Sequence, residues 1–362
     1  MIMSKIIRWG ILGTGRIAQD FAKGLQSLPD AKLWAIGSRN LATAEQFGHQ
    51  FNISKTYANY ESLVKDPDID VVYIATPQER HKQDCLLCLN AGKPILCEKP
   101  FMLNAQEARE VITLAREKRL FCMEAMWMRF MPLVQRVKKS IDQGEIGTIR
   151  FLTADFGYPV PFDPKSRFFS QPGGGALGDR GIYLLSLAFY LLGEPNSVTS
   201  QALFGETGVD EQSSFILNYA QGQQALLFST LKTYTTNEAM IIGDRGKIKL
   251  ADPFYRPYQF SVTKYPDIIT TGVEQKTHSQ KKFIEALKQN SLIQSFLIKL
   301  KNFLAQKATK TIFSPPQGNG YHYEAIEVMQ CLRNGQLESQ IMPLDETVKI
   351  MEWMDKIRDQ WH

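Results

Sequence analysis

A short apolar run, IIRWGIL at 6–12, ends in Gly13-Thr14-Gly15 and passes straight into IAQDFAKGLQSL, whose apolar residues recur at helical spacing. A strand that turns on glycine into a helix must bury one helix face on a sheet, and the pattern then repeats. KLWAIGS precedes the helical ATAEQFGHQF, DVVYIAT precedes HKQDCLLCLNAG, PILCEKP precedes NAQEAREVITLAREKR, and LFCMEA closes the series. Strands alternating with helices predict a doubly wound parallel sheet covered on both faces, here over residues 1–125. Asn104 followed by Glu107 predicts a capped start for the fourth helix.

The character changes near residue 126. One more helix is expected in FMPLVQRVKKSIDQG. It leads into strand-like runs, TIRFLTADFGY, SVTSQALFG, SSFILNYA, QALLFSTLK, EAMIIGDRGKIKLA and QFSVTKY, several alternating with period two. Ala220-Gln221-Gly222-Gln223 and Gly243-Asp244-Arg245-Gly246 read as hairpin turns. Residues 126–362 are therefore expected to form an α/β domain with a large, open, mostly antiparallel sheet, closed by helices over YHYEAIEVMQCLRNG and DETVKIMEWMDKIRDQ. Residues 279–310 read as a basic amphipathic insertion. Phe283, Leu287, Ile293, Phe296, Leu297, Leu300, Phe303 and Leu304 recur at helical spacing, with lysines mostly off the stripe. Packing on its own domain or a partner subunit is expected of this stripe, rather than contact with a membrane.

Charge narrows the function classes. The chain carries +5 overall, yet Lys276–Lys310 alone holds +7, so the remainder is slightly acidic and nucleic acid is not an expected partner. No apolar run reaches membrane-spanning length. The basic-then-apolar start runs into GTGRIA without a cleavage site, so it reads as a first strand rather than a leader, and a cytoplasmic protein is expected. Five cysteines, an odd count, argue against a disulfide framework. Cys85 and Cys88 form C-x-x-C inside an apolar helix with no second pair, so they are expected to pack and no metal site is expected.

Gly13-Thr14-Gly15-Arg16-Ile17-Ala18 is G-x-G-x-x-A between strand and helix. Gly13 permits the tight turn, Gly15 a close approach of a pyrophosphate, and Ala18 close packing of helix on sheet; free amides at the helix start then favour phosphate. The second strand ends in Ser38-Arg39 where an NAD site usually carries an acid, and a guanidinium suits a 2′-phosphate, so NADP is expected over NAD. Thr76-Pro77 and Glu98-Lys99-Pro100 end later strands on the side where such sheets bind ligands. His81 either lines the nicotinamide crevice or is a solvent histidine at a helix start. Lys99 places a cation where a substrate hydroxyl is activated. Tyr183, in GGGALGDRGIY at 173–183, is the candidate proton acceptor, with Asp179 four residues before it. A nearby ammonium is expected to lower the phenol's pKa.

Together these residues resemble the Gfo/Idh/MocA oxidoreductase family over nearly the whole chain. EKPFMLNAQEA, EAMWMRFMP, FDPKSRFF, GGGALGDRGIY and LESQIMPLDET are similar to the branch of dimeric dihydrodiol dehydrogenases and NADP-dependent D-xylose dehydrogenases. The resemblance implies hydride transfer between a nicotinamide and a carbinol carbon of a sugar or cyclic trans-diol. It implies that Lys99 and Tyr183 act together with Asp179 and His81 close by, a pocket lined by Trp127, Arg129, Phe130 and Arg167, and a homodimer formed through the C-terminal sheet. It also implies a Lys99–Pro100 bond that is often cis. Arg180 departs from the branch, which carries an aliphatic residue there; it either pairs with Asp179 or points away. The alternatives are a non-catalytic NAD(P)-binding sensor and a redox-neutral enzyme that retains its cofactor.

Overall fold

A computed structural model describes residues 5–266 and 308–361, with Ser291, Ile293–Ser295 and Lys299 between them. The apolar run at the start forms β1 (Ile7–Leu12), and Ala18, Phe21, Ala22 and Leu25 bury one face of α1 (Arg16–Leu25) against the sheet. Then come β2 (Ala31–Gly37), α2 (Leu41–Phe51), β3 (Lys55–Tyr57), α3 (Tyr60–Val64), β4 (Val71–Ile74), α4 (His81–Asn90), β5 (Ile95–Glu98), α5 (Ala105–Glu117) and β6 (Cys122–Ala125). The strands lie in the order β3-β2-β1-β4-β5-β6, every pair parallel. The chain reverses direction across the sheet between β1 and β4, so the crevice outside their carboxyl ends is the place for a ligand. The expected five strands become six, because β3 is a three-residue edge strand too short to show a period.

The cap of α5 forms as expected. Asn104 Oδ1 accepts from Glu107 N at 2.9 Å, and Glu107 Oε2 accepts from Leu103 N at 3.2 Å. All five cysteines are free and buried, with Cys85 and Cys88 packed inside α4.

A 3-10 turn over Trp127–Phe130 leads to α6 (Pro132–Asp142) and then β7 (Ile149–Gly157). After a long loop, one wide π turn (Leu177–Gly181) opens α7 (Ile182–Leu192), whose residues are nearly all buried. The second sheet adds β8 (Ser197–Phe204), β9 (Asp210–Asn218), β10 (Gln224–Thr230), β11 (Ala239–Gly243), β12 (Gly246–Leu250), β13 (Gln259–Lys264) and β14 (Thr309–Phe313). Its order is β14-β13-β12-β11-β7-β10-β9-β8; β7 and β10 pair parallel and the other neighbours antiparallel. Both expected hairpin turns join antiparallel neighbours, β9 to β10 and β11 to β12.

The expected insertion over 279–310 needs correcting at its end, since Thr309 and Lys310 belong to β14. Of its apolar stripe, Ile293 is helical and half-buried; Phe283, Leu287, Phe296, Leu297, Leu300, Phe303 and Leu304 lie outside the described residues. Among the described residues no helix is long and apolar enough to cross a membrane.

The last helices, α8 (Tyr321–Arg333) and α9 (Leu344–Arg358), pack back on the first sheet's helices, α8 on α1 and α9 on α5. Asp355 Oδ2 accepts from Ala105 N at 2.9 Å, Arg358 donates to Leu103 O at 3.3 Å, and Asn319 Nδ2 donates to Asp20 O at 2.6 Å.

Candidate active site

The glycine turn is built for close approach. Gly13 has φ +98°, and a Cβ there would lie 2.7 Å from Ala75 O. Gly15 begins α1 without a side-chain cap, and a Cβ on it would meet nothing within 4 Å. The first-turn amides therefore face open space with no side chain satisfying them. Thr14 and Ile17 are half-buried, and the Arg16 side chain is almost wholly exposed. Thr76, beside Pro77 at the end of β4, has a buried hydroxyl with no hydrogen-bond partner among the described residues. Uncapped amides, an empty approach over Gly15 and an orphaned hydroxyl across the crevice fit a dinucleotide pyrophosphate. At the end of β2, the Ser38 hydroxyl bonds to Thr43 Oγ1 at 2.7 Å and Asn40 caps α2, while Arg39 is exposed.

Lys99 and Asp179 meet, although 80 residues separate them. The Lys99–Pro100 bond is cis. Lys99 Nζ donates to Asp179 O at 2.9 Å and lies 3.3 Å from Asp179 Oδ1. Arg167 NH1 reaches the same oxygen at 3.1 Å, and Arg180 Nε lies 3.7 Å from Oδ2. Burial pushes the Asp179 carboxyl up, but Lys99, Arg167 and Arg180 outweigh it and bring its pKa down to about 2. The two readings of Arg180 are thus both met in part. It pairs with Asp179, and its NH1 also donates to the carbonyls of Tyr158 and Thr230.

Tyr183 is 6% exposed, and its hydroxyl accepts from Trp127 Nε1 at 2.7 Å. Lys99 Nζ lies 4.8 Å from the ring centroid, over the face rather than at the oxygen. The expected lowering of the phenol is not found: burial pushes its pKa well above the ordinary value, opposed by the Trp127 donor. Around it stand rings that the sequence did not reveal. Phe156 meets Tyr183 edge-on at 5.4 Å and stacks on Tyr255 at 4.6 Å, and Trp127 stacks on Tyr321 at 4.6 Å. Their one sequence signal was aromatic residues at the carboxyl end of β7, in ADFGY.

Three other expectations fall differently. His81 neither lines the crevice nor sits in solvent. It is 2% exposed, with Nδ1 at 3.0 Å from Pro100 O and Nε2 at 2.9 Å from Thr76 O, so the ring holds the two strand-end loops together. Arg129 is not brought to the pocket. It is fully buried on the far side of its turn, donating to Ser186 Oγ and Ser186 O at 2.8 Å and paired with Glu346. In a 3-10 turn the residue two after Trp127 points away from it, and Phe130, also buried, packs in the core. Glu98 accepts from the Tyr73 hydroxyl and, through Oε2, from Lys99 N at 3.1 Å. Burial pushes its carboxyl up, opposed by the Tyr73 bond and the Lys99 charge.

A nucleotide crevice beside a half-buried lysine and carboxylate and a buried phenol defines a nicotinamide-dependent oxidoreductase acting on CH–OH groups. Residues 7–126 match the model of the oxidoreductase family with an NAD-binding Rossmann fold, and residues 134–249 match the GFO/IDH/MocA C-terminal domain. The chain belongs to the Gfo/Idh/MocA oxidoreductase family. It is similar to trans-1,2-dihydrobenzene-1,2-diol dehydrogenase of Xenopus laevis, 36% identical over 98% of this chain and 97% of the relative. The human protein of that name is 32% identical over 97% and 96%. Among solved structures the fold matches aldose-aldose oxidoreductase from Caulobacter crescentus, with TM-score 0.80, 20% identity and coverage of 98% and 97%. A 3-ketoreductase from Actinomadura kijaniata with NADP and TDP-benzene matches with TM-score 0.79, 22% identity and coverage of 99% and 98%.

Proposed function

We propose that the protein is an NADP-dependent dehydrogenase or reductase of a sugar or cyclic trans-diol. The bound nicotinamide would supply or accept the hydride at the carbinol carbon. Gly13, Thr14, Gly15, Arg16, Ile17, Thr76 and Pro77 would border the dinucleotide, with Ser38 and Arg39 at its 2′-phosphate and Glu98 holding the loop that carries Lys99. The observation that carries this reading is the meeting of Lys99, Asp179 and Tyr183 at the carboxyl ends of the first sheet's strands.

The roles follow from the geometry. Asp179 stays ionised and fixes Lys99 through its carboxylate and its backbone carbonyl. The Lys99 ammonium orients the substrate hydroxyl. Tyr183 holds its proton in the resting protein, so it is set to protonate an alkoxide as a carbonyl is reduced. In oxidation the same phenol must first lose that proton, and the Trp127 donor favours the phenolate. Trp127, Phe156 and Tyr255 pack into an aromatic wall that holds Tyr183 in place, and Arg167 stands at the rim. Tyr183→Phe is expected to abolish NADP⁺ reduction with D-xylose or a trans-dihydrodiol while NADPH still binds. Equal turnover by the variant would end the assignment of Tyr183.

We also propose pairing of two copies through the open face of the second sheet. Neighbouring strands there align Met240, Thr153, Leu226 and Ile216 in one row, and Leu226 and Ile216 are each 37% exposed. Light scattering that gave the mass of one chain at micromolar concentration would refute it.

A further inference from the structure

We propose that the substrate is anionic: the site takes a sugar derivative bearing a carboxylate or phosphate, which meets the cations gathered at Asp179. This rests on the oxidoreductase reading of the same site. Lys99, Arg167 and Arg180 all lie within 3.7 Å of Asp179, so three cations face one carboxylate with a surplus of two charges. Among the described residues, other carboxylates nearby do little to balance them. Glu98 is turned to the Tyr73 hydroxyl and the Lys99 amide, and burial disfavours its charge. Asp210 lies behind the glycine loop, where it accepts from Leu177 N at 2.7 Å. Asp252 is exposed and reaches only the Tyr158 hydroxyl, at 3.5 Å.

The surplus is built in rather than incidental. Arg180 is 4% exposed and cannot swing into solvent without breaking its bonds to the carbonyls of Tyr158 and Thr230. Those carbonyls satisfy donors but add no net charge. A buried guanidinium is costly to keep unless charge compensates it, and Asp179 is already shared with Lys99. Arg167 is different. Its side chain is 70% exposed, one nitrogen touches Asp179, and the rest of its planar fork is open for a bidentate contact. The cation also lies 4.1 Å from the Phe168 ring centroid, which holds it at the rim. A sugar ring bound beside Tyr183 would thus carry its charged substituent toward Arg167 and Lys99. A neutral diol or pentose would leave the two extra charges facing each other.

The test is calorimetric titration of the full-length protein, saturated with NADP⁺, with D-glucuronate, D-glucose 6-phosphate and D-glucose. At least one anion is expected to bind about tenfold more tightly than glucose, and Arg167→Leu to remove most of that preference. Raising NaCl from about 20 mM to about 300 mM should narrow the gap. Which anion wins separates a carboxylate site from a phosphate site. No preference for either anion, or a preference that salt leaves unchanged, would overturn the proposal. Should Arg167→Leu fail to fold, the salt titration of the unaltered protein decides alone. Glucose turnover without anion preference would sink this inference and leave the oxidoreductase reading standing. Anion-selective binding without hydride transfer would support the inference and count against the reading of Tyr183.

Discussion

Replacing Asp179 with asparagine isolates the charge cluster at the centre of the site. The carboxyl falls from an ordinary 3.8 to about 2, against a burial effect that pushes it up. That difference corresponds to about 2 kcal/mol of folding stability. The side chain is 17% exposed, so solvent screening removes little of it. Because the folded pKa lies below the unfolded one, the contribution is fully present above pH 3.8 and is lost as pH falls through about 2. Asp179→Asn keeps the shape and the backbone carbonyl that Lys99 uses, and removes only the charge. Urea unfolding without cofactor should show the variant less stable by about 2 kcal/mol at pH 7.5. The gap should hold down to about pH 5 and shrink below pH 4. A variant as stable as the parent at pH 7.5, or more stable, would refute the view that this carboxylate neutralises Lys99, Arg167 and Arg180.

Other consequences follow from the same structure. Arg39→Asp should reduce the preference for NADPH over NADH at least about tenfold by removing a phosphate partner and adding a like charge; equal fluorescence titrations of parent and variant would contradict it. With Tyr183 holding its proton well above its ordinary pKa, the rate of alcohol oxidation should climb through pH 7–10 while carbonyl reduction does not. An oxidation rate that is flat over that range would show the proton leaving by another group. Glu324, fully buried with neither carboxylate oxygen hydrogen-bonded among the described residues, is pushed well above 4.5 by burial and by Glu98. Folding then binds a proton that is lost as pH rises, so Glu324→Gln should melt higher at pH 8 and equally near pH 4. A lower melting point at pH 8 would mean the carboxylate holds a favourable partner.

Much of this was legible in the chain, and the exceptions have physical reasons. Gly13, Gly15 and the strand–helix alternation act over a few residues, so local pattern was enough. The pairing of Lys99 with Asp179 needed the family resemblance, because nothing local joins residues 80 apart. Arg129 escapes the pattern because the motif MWMRF shows its members side by side, while a 3-10 turn sends Trp127 to Tyr183 and Arg129 to Ser186. His81 was misjudged because its partners are backbone carbonyls of two other loops, which carry no side-chain signature. For Arg180, the rule that adjacent helical residues face apart holds for Cβ directions. A long side chain in a wide turn still brings its Nε within 3.7 Å of the Asp179 carboxylate.

The return of the last two helices onto the first sheet has a consequence for biosynthesis. Residues 1–125 leave the ribosome early with a complete set of six strands. Yet the amide of Ala105 and the carbonyl of Leu103 find partners in Asp355 and Arg358, which are made 250 and 255 residues later. The face of α1 that carries Gly24 is likewise covered by α8, where a Cβ would come within 3.1 Å of His322 N. The nucleotide half must therefore wait, with an apolar flank uncovered, until residues 321–358 have been made. Chaperone demand should be set by that interval, and slowing translation between residues 130 and 320 should lower the soluble yield.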